Sequence, residues 1–155
     1  RLARMLALPF VDTDAAIEAV HGPIPEIFAQ EGQDVFREYE FQAVFGALSG
    51  PPAVLAVGGG AVTHPPTLDL LARHTHRIFL AVKPTTVVSR VRAAKEVRPL
   101  LGEEPTVETV QRIYRERIGL YEQSDFTIEA DTKSASIVCA EIVAWLTTRE
   151  PMLVP

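Results

Sequence analysis

Three charged side chains stand on predicted helices at positions where the apolar periodicity predicts buried residues. Arg37 and Glu40 fall within the apolar arc of the predicted helix Gln33–Leu48, three residues apart, so they can touch each other. Arg117 falls inside the apolar stripe of the predicted helix Val107–Tyr121. A buried guanidinium needs an anionic partner, because burying the charge alone is very costly. The pattern indicates arginines that bind a carboxylate or phosphate, with a structural ion pair and a side chain that reaches solvent as the alternatives.

Two acids follow a short apolar strand predicted at residues 10–11. Asp12 and Asp14 are expected to alternate onto one side of the strand's carboxyl end. Ligands of α/β sheets bind at that edge. The two carboxylates could hold a metal ion and accept a proton, although an aspartate here could instead cap the helix that follows.

Three consecutive glycines, Gly58, Gly59 and Gly60, follow a strand predicted at residues 53–57. The five residues of this strand are all apolar, which predicts a strand that is buried on both faces. Glycine lets the backbone approach a ligand closely and leaves amide groups able to donate. We therefore expect the glycines to contact a ligand, with a tight turn as the alternative.

A polar, charged stretch at residues 93–105 lacks periodicity and is predicted to be an exposed loop. Arg98 lies in this loop and could close over phosphates as an arginine finger does. A solvated basic loop is the alternative.

The elements that must position these residues alternate along the chain. Strands predicted at residues 10–11, 53–57, 77–82 and 126–129 alternate with helices, which is typical of a parallel α/β sheet. The 155 residues, 47% hydrophobic and 23% charged, suit one globular domain. No apolar run reaches the length of a membrane span, and the single Cys139 excludes an internal disulfide framework. A net charge of −5 argues against a nucleic-acid-binding surface.

Taken in order, the motifs resemble those of the shikimate kinases. They are Asp12-Thr13-Asp14, Phe36-Arg37-x-x-Glu40, Gly58-Gly59-Gly60-Ala61-Val62, Arg98-Pro99-Leu100-Leu101 and Arg117-x-x-Leu120-Tyr121. The resemblance implies a three-layer α/β fold of the P-loop nucleoside-kinase type, with a parallel sheet of five strands in the intact family. It covers residues 1–149, with a lid at about 93–105 and a tail at 150–155.

The implied reaction transfers the γ-phosphoryl group of ATP to the 3-hydroxyl of shikimate, in aromatic amino-acid synthesis. By resemblance, Asp14 binds the shikimate hydroxyls and takes the proton of the attacking one. Arg37 and Arg117 clamp the substrate carboxylate, and Glu40 braces Arg37. The backbone of Gly58–Gly60, Gly59 in particular, contacts the substrate as well.

The resemblance also assigns residues to the nucleotide. Arg98 corresponds to the lid arginine that reaches the transferring phosphates. Arg92, or Arg90, would lie beside the adenine, and Lys133 stands where the family often has an adenine-side arginine. Asp12 resembles the acid that orients Mg²⁺ through water.

The phosphate-binding motif G-x-x-x-x-G-K-[ST] does not occur in the 155 residues. We therefore expect the chain to be a fragment that lacks the first strand, central in the family's sheet, and the loop after it. Loss of a central strand should expose apolar edges of its neighbours. Little or no kinase activity is expected from these residues alone.

Other functions are compatible with the resemblance. A ligand-sensing domain of a transcriptional regulator is one, a kinase of another polyol acid such as gluconate is a second, and one half of a fusion enzyme is a third. For the shikimate kinase we expect a cytoplasmic monomer that binds neither nucleic acid nor membranes.

Overall fold

The computed structural model describes residues 1–94, 99–102 and 104–150. Its helices are α1 (Leu2–Met5), α2 (Thr13–His21), α3 (Ile24–Gln30), α4 (Gln33–Leu48), α5 (Pro65–His74), α6 (Pro84–Ala94), α7 (Val107–Tyr121) and α8 (Ala135–Arg149). Its strands are β1 (Phe10–Asp12), β2 (Val54–Ala56), β3 (Ile78–Ala81) and β4 (Phe126–Glu129), and short 3₁₀ helices lie at Ala61–Thr63 and Pro99–Leu101.

The strands pair in parallel, as the alternation of strands and helices predicts. β1 pairs with β2, with Phe10 opposite Val54, and β3 pairs with β4, with Ile78 opposite Phe126. The described residues therefore form two parallel sheets of two strands each. The parallel α/β class is confirmed, whereas the five-stranded sheet stays a prediction.

The prediction that the second strand is buried on both faces is wrong. All three residues of β2 are half-buried. The physical reason is that β2 has only β1 as a strand neighbour among the described residues, so one of its edges is not covered by another strand. Leu80 of β3 is likewise 49% exposed.

Local signals account for where several helices begin. Asp12 caps α2, because its Oδ1 accepts from the backbone N–H groups of Asp14 and Ala15. Thr106 caps α7 by accepting from the N–H of Thr109. Since α2 begins directly after β1, Asp14 lies in a helix, and the expected alternation of two acids along one strand is wrong.

Two apolar clusters hold the elements together. One packs α8 against β4 and includes Leu6, Ile128, Ala130, Val138, Ile142 and Leu146. The other joins α2, α3 and α4 through Ile17, Ile27 and Phe36. Cys139 is buried in α8. None of the helices in the described ranges is long and apolar enough to cross a membrane.

Candidate active site

Helix α4 carries a buried ion pair at the centre of the site. Arg37 Nη1 donates to Glu40 Oε2 at 2.6 Å, and the two residues are 6% and 0% exposed. Phe36, next to Arg37, packs into the α2–α3–α4 cluster and fixes this face of the helix inward. The sequence prediction that Arg37 and Glu40 touch within the apolar arc is therefore confirmed. The Arg37 guanidinium, held in this way, has little freedom to rotate, so its remaining N–H donors keep a fixed direction.

The glycine turn, which we define as Gly58, Gly59 and Gly60, packs directly against this pair. A Cβ atom at Gly60 would overlap Arg37 Nη2 and lie 2.6 Å from its Cζ. A Cβ atom at Gly58 would lie 3.2 Å from Glu40 Oε1 and 3.5 Å from Asp14 Oδ1. The backbone approaches the charged groups this closely only because no side chain intervenes.

Asp14 reaches the same place from the first turn of α2. Its carboxylate is half-buried and shares the surroundings of Gly58 with Glu40. Burial raises the pKa of Glu40 above its ordinary value; Arg37 opposes that shift, and the nearby Asp14 charge adds to it. Two carboxylates are thus held close together beside the glycine turn.

Arg117 approaches from α7 and is half-buried. Its charge lowers the pKa of Glu40, which places its guanidinium within electrostatic reach of the ion pair. No residue in the described part of the chain forms a hydrogen bond or ion pair with Arg117. The structure thus brings together Asp14, Arg37, Glu40, Arg117 and the glycine turn, from four separate stretches of sequence.

The residues predicted for the nucleotide are spread along α6 and the loop before α8. Arg90 donates to the carbonyl of Ala130 at 3.3 Å, and Arg92 donates to the carbonyl of Pro105 at 3.0 Å. Lys133 pairs with Glu141 at 2.7 Å. Arg98 lies outside the described residues.

Asp12, the predicted Mg²⁺ residue, is exposed at the end of β1, and one of its oxygens caps α2. Among residues 1–94, 99–102 and 104–150, no group of three or more His, Cys, Asp or Glu is arranged to hold a metal ion. Mg²⁺ is commonly held by one or two carboxylates together with water and substrate phosphates. The exposed Asp12 fits that kind of ligand set, and a closed protein cage is not present in the described ranges.

Two residues of this site have no predicted role from the sequence. Thr13 is fully buried and donates from its hydroxyl to the carbonyl of Ala56, which ties α2 to β2. Tyr121 donates from its hydroxyl to the carbonyl of Gly59 at 2.7 Å. Tyr121 follows Arg117 by one helical turn, so its place on the same face of α7 could have been used to find it.

Comparisons with known proteins agree on one family. The family model for shikimate kinase matches residues 1–147. The chain is 34% identical to a shikimate kinase of Ruegeria pomeroyi over 98% of this chain and 78% of the relative, and 40% identical to one of Mycobacterium avium over 97% and 84%.

Solved structures give the same result. Shikimate kinase from Acinetobacter baumannii in complex with shikimate superposes with a TM-score of 0.89 and 30% identity, covering 96% of this chain and 84% of that one. Shikimate kinase from Bacteroides thetaiotaomicron gives a TM-score of 0.82 and 26% identity, covering 97% and 88%. None of these relatives supports the alternative of a regulator's sensing domain. The match over nearly the whole chain shows that the chain belongs to the shikimate kinase family of ATP-dependent phosphotransferases.

Proposed function

We propose that this chain forms the shikimate-binding part of a shikimate kinase and contributes the side chains that orient shikimate for transfer of the ATP γ-phosphoryl group to its 3-hydroxyl. The observation that carries the proposal is the convergence of Arg37 and Asp14 on one glycine turn, with the charge of Arg117 acting on Glu40 of the same site. The Acinetobacter baumannii relative, which superposes over 96% of the chain, is in complex with shikimate.

Arg37 and Arg117 bind the carboxylate of shikimate in this proposal. Glu40 accepts a hydrogen bond from Arg37 Nη1, so the Arg37 guanidinium is already oriented before the substrate binds. Arg117 provides a second cation from another helix, and it forms no ion pair with another described residue. Its guanidinium can therefore bind a small organic anion.

Asp14 binds the hydroxyl groups at the other end of the substrate. As the 3-hydroxyl oxygen bonds to the γ-phosphorus, the bond from that phosphorus to the β,γ-bridging oxygen breaks, ADP leaves, and Asp14 takes the hydroxyl proton. Phosphoryl transfer depends mainly on positioning and charge neutralisation, so a base of modest strength suffices.

The nucleotide side of the proposal involves ATP, Arg98, one of Arg90 and Arg92, and Lys133. Of the two arginines, Arg90 is favoured because it contacts Ala130, close to Lys133 along the chain. Asp12 would hold Mg²⁺ through water, and Mg²⁺ when bound supplies neutralising charge to the phosphates. We also propose that residues 1–149 form the kinase domain with a lid near 93–105, and that the enzyme is a cytoplasmic monomer that binds neither nucleic acid nor membranes.

The test is calorimetric titration of the 155-residue chain with shikimate. Binding is the appropriate readout because the sequence contains no G-x-x-x-x-G-K-[ST] loop for the ATP phosphates. We expect saturable binding that is weakened at least about 100-fold in Arg117→Ala, because one of the two charge-assisted contacts to the carboxylate is lost. Arg112→Ala is the matched control, since Arg112 lies on the same helix and pairs with Glu116 at the surface. Unchanged binding in Arg117→Ala would contradict the proposal.

A further inference from the structure

The three carbonyl groups of the glycine turn are held in two different ways. The Gly58 carbonyl accepts from the N–H of Ala61 at 3.0 Å, and the Gly60 carbonyl accepts from the N–H of Thr63 at 2.9 Å. Both are local contacts of the 3₁₀ helix that follows. The Gly59 carbonyl instead accepts from the hydroxyl of Tyr121, 62 residues further along the chain. The central peptide of the turn therefore depends on helix α7.

The ring of Tyr121 is held independently of its hydroxyl. It stacks on Phe79 of β3 with 4.8 Å between the ring centroids, and Tyr114 of α7 lies 6.5 Å away. A Cβ atom at Gly59 would lie 3.2 Å from the Tyr121 oxygen, so the absence of a side chain at Gly59 is what allows this close approach. The aromatic contacts fix the position of the Tyr121 hydroxyl, and this hydroxyl holds the Gly59 carbonyl in place.

We propose that Tyr121 is a positioning residue for the substrate carboxylate. Its hydroxyl connects α7, which carries Arg117, to the glycine turn, which packs against Arg37. A trans peptide is planar, so holding the Gly59 carbonyl also fixes the Gly60 N–H in the opposite direction. Gly60 in turn lies against the Arg37 guanidinium. One hydrogen bond thus sets both the orientation of the Gly59–Gly60 peptide and the spacing of the two arginines. This inference rests on the proposed function.

The first test compares shikimate with its methyl ester, whose carboxyl group carries no charge, by calorimetric titration of the 155-residue chain. Tyr121→Phe keeps the ring contacts and removes only the hydroxyl. We expect shikimate affinity to fall about five-fold, the effect of one neutral hydrogen bond, and ester affinity to change much less. Tyr114→Phe, which removes a hydroxyl from the same helix, is the control and should change neither affinity.

The outcomes separate the two proposals. If the unmodified chain does not bind shikimate, the proposed function fails, and this inference fails with it. If the unmodified chain binds but Tyr121→Phe binds shikimate equally well, or loses affinity for both compounds in equal measure, the positioning role alone is overturned.

A second test perturbs the same contact from the side of the glycine turn. Gly59→Ala presses a methyl group against the Tyr121 oxygen, and the backbone at Gly59 is not in the left-handed region, so the methyl contact is the main perturbation. We expect Gly59→Ala to weaken shikimate binding in the unmodified chain and to add little further loss in the Tyr121→Phe background. Equal losses in both backgrounds would show that the two residues act independently and would overturn the inference.

Discussion

The substrate side and the nucleotide side of the site are built differently. On the substrate side, Arg37 and Glu40 are buried, bonded to each other and packed against the glycine turn. On the nucleotide side, Arg90 is exposed and donates to one backbone carbonyl, while Lys133 pairs with a single partly exposed acid. The substrate side is therefore organised by its own residues before any ligand binds.

The comparison has an energetic consequence. A buried pair that loses one partner leaves an uncompensated charge in the interior, so changes on the substrate side affect folding and binding together. Exposed ion pairs contribute little to stability, so changes on the nucleotide side should affect ligand affinity almost alone. The following predictions test this difference, beginning with the largest expected effect.

Gly60→Ala should abolish detectable shikimate binding, with a loss of at least about 100-fold, because the new methyl group displaces the Arg37 guanidinium. The backbone at Gly60 has φ −88° and ψ −15°, which alanine adopts freely, so steric displacement is the cause. Calorimetric titration measures the effect. Gly46→Ala in α4 is the control, because nothing lies within 4 Å of a Cβ there. Retained affinity in Gly60→Ala would show that Arg37 need not be held in place.

Arg37→Ala should lower the free energy of unfolding by about 3–5 kcal/mol, because Glu40 is left buried without its partner. Arg117→Ala should change it by less than about 0.5 kcal/mol, because the half-buried Arg117 holds no ion pair with another described residue. Urea denaturation measures both, and shikimate titration should show weakened binding in each. Similar destabilisation by the two changes would contradict the distinction between Arg37, which is buried and paired, and Arg117, which is available to bind the ligand.

Glu40→Gln should alter how stability depends on pH. Burial raises the pKa of Glu40 in the folded chain, so between the ordinary and the raised value the folded state binds more protons than the unfolded state. The stability contributed by Glu40 is thus greatest below its ordinary pKa and is lost as pH rises through the raised value. The advantage of the unmodified chain over Glu40→Gln should therefore shrink as the pH rises above about 4.3, the ordinary pKa of glutamate.

Urea denaturation across that pH range measures this change. A difference of about 1 kcal/mol would move the melting temperature by about 2–4 °C. Glu38→Gln, on the exposed side of the same helix, is the matched control. An advantage that grows with pH would mean that attraction to Arg37 outweighs the effect of burial.

Arg90→Ala and Lys133→Ala should each weaken ADP binding only about two- to five-fold and leave the free energy of unfolding within about 0.5 kcal/mol of the original. Arg92→Ala should have a smaller effect on ADP, because Arg92 is directed to Pro105 rather than to Ala130. Titration with ADP and urea denaturation are the measurements. A larger loss in Arg92→Ala would reverse the assignment of the adenine-side arginine.

Local sequence patterns were sufficient to predict several features of this protein. The predicted bounds of α4 and α7 coincide with the observed helices, and the contact of Arg37 with Glu40 follows from their spacing of three residues. The order of the motifs was sufficient to identify the family. These features depend on periodicity and order along the chain, which the sequence contains directly.

Other features were decided only by tertiary structure. The half-burial of β2 depends on which strands lie beside it, and a run of apolar residues carries no information about its neighbours. The glycine turn contacts a different side chain at each position, with Tyr121 reaching Gly59 across 62 residues. The sequence by itself determined the buried face of α4 and the family to which the chain belongs. The packing of distant segments decided which groups meet, because helix periodicity specifies a buried face but not the segment that covers it.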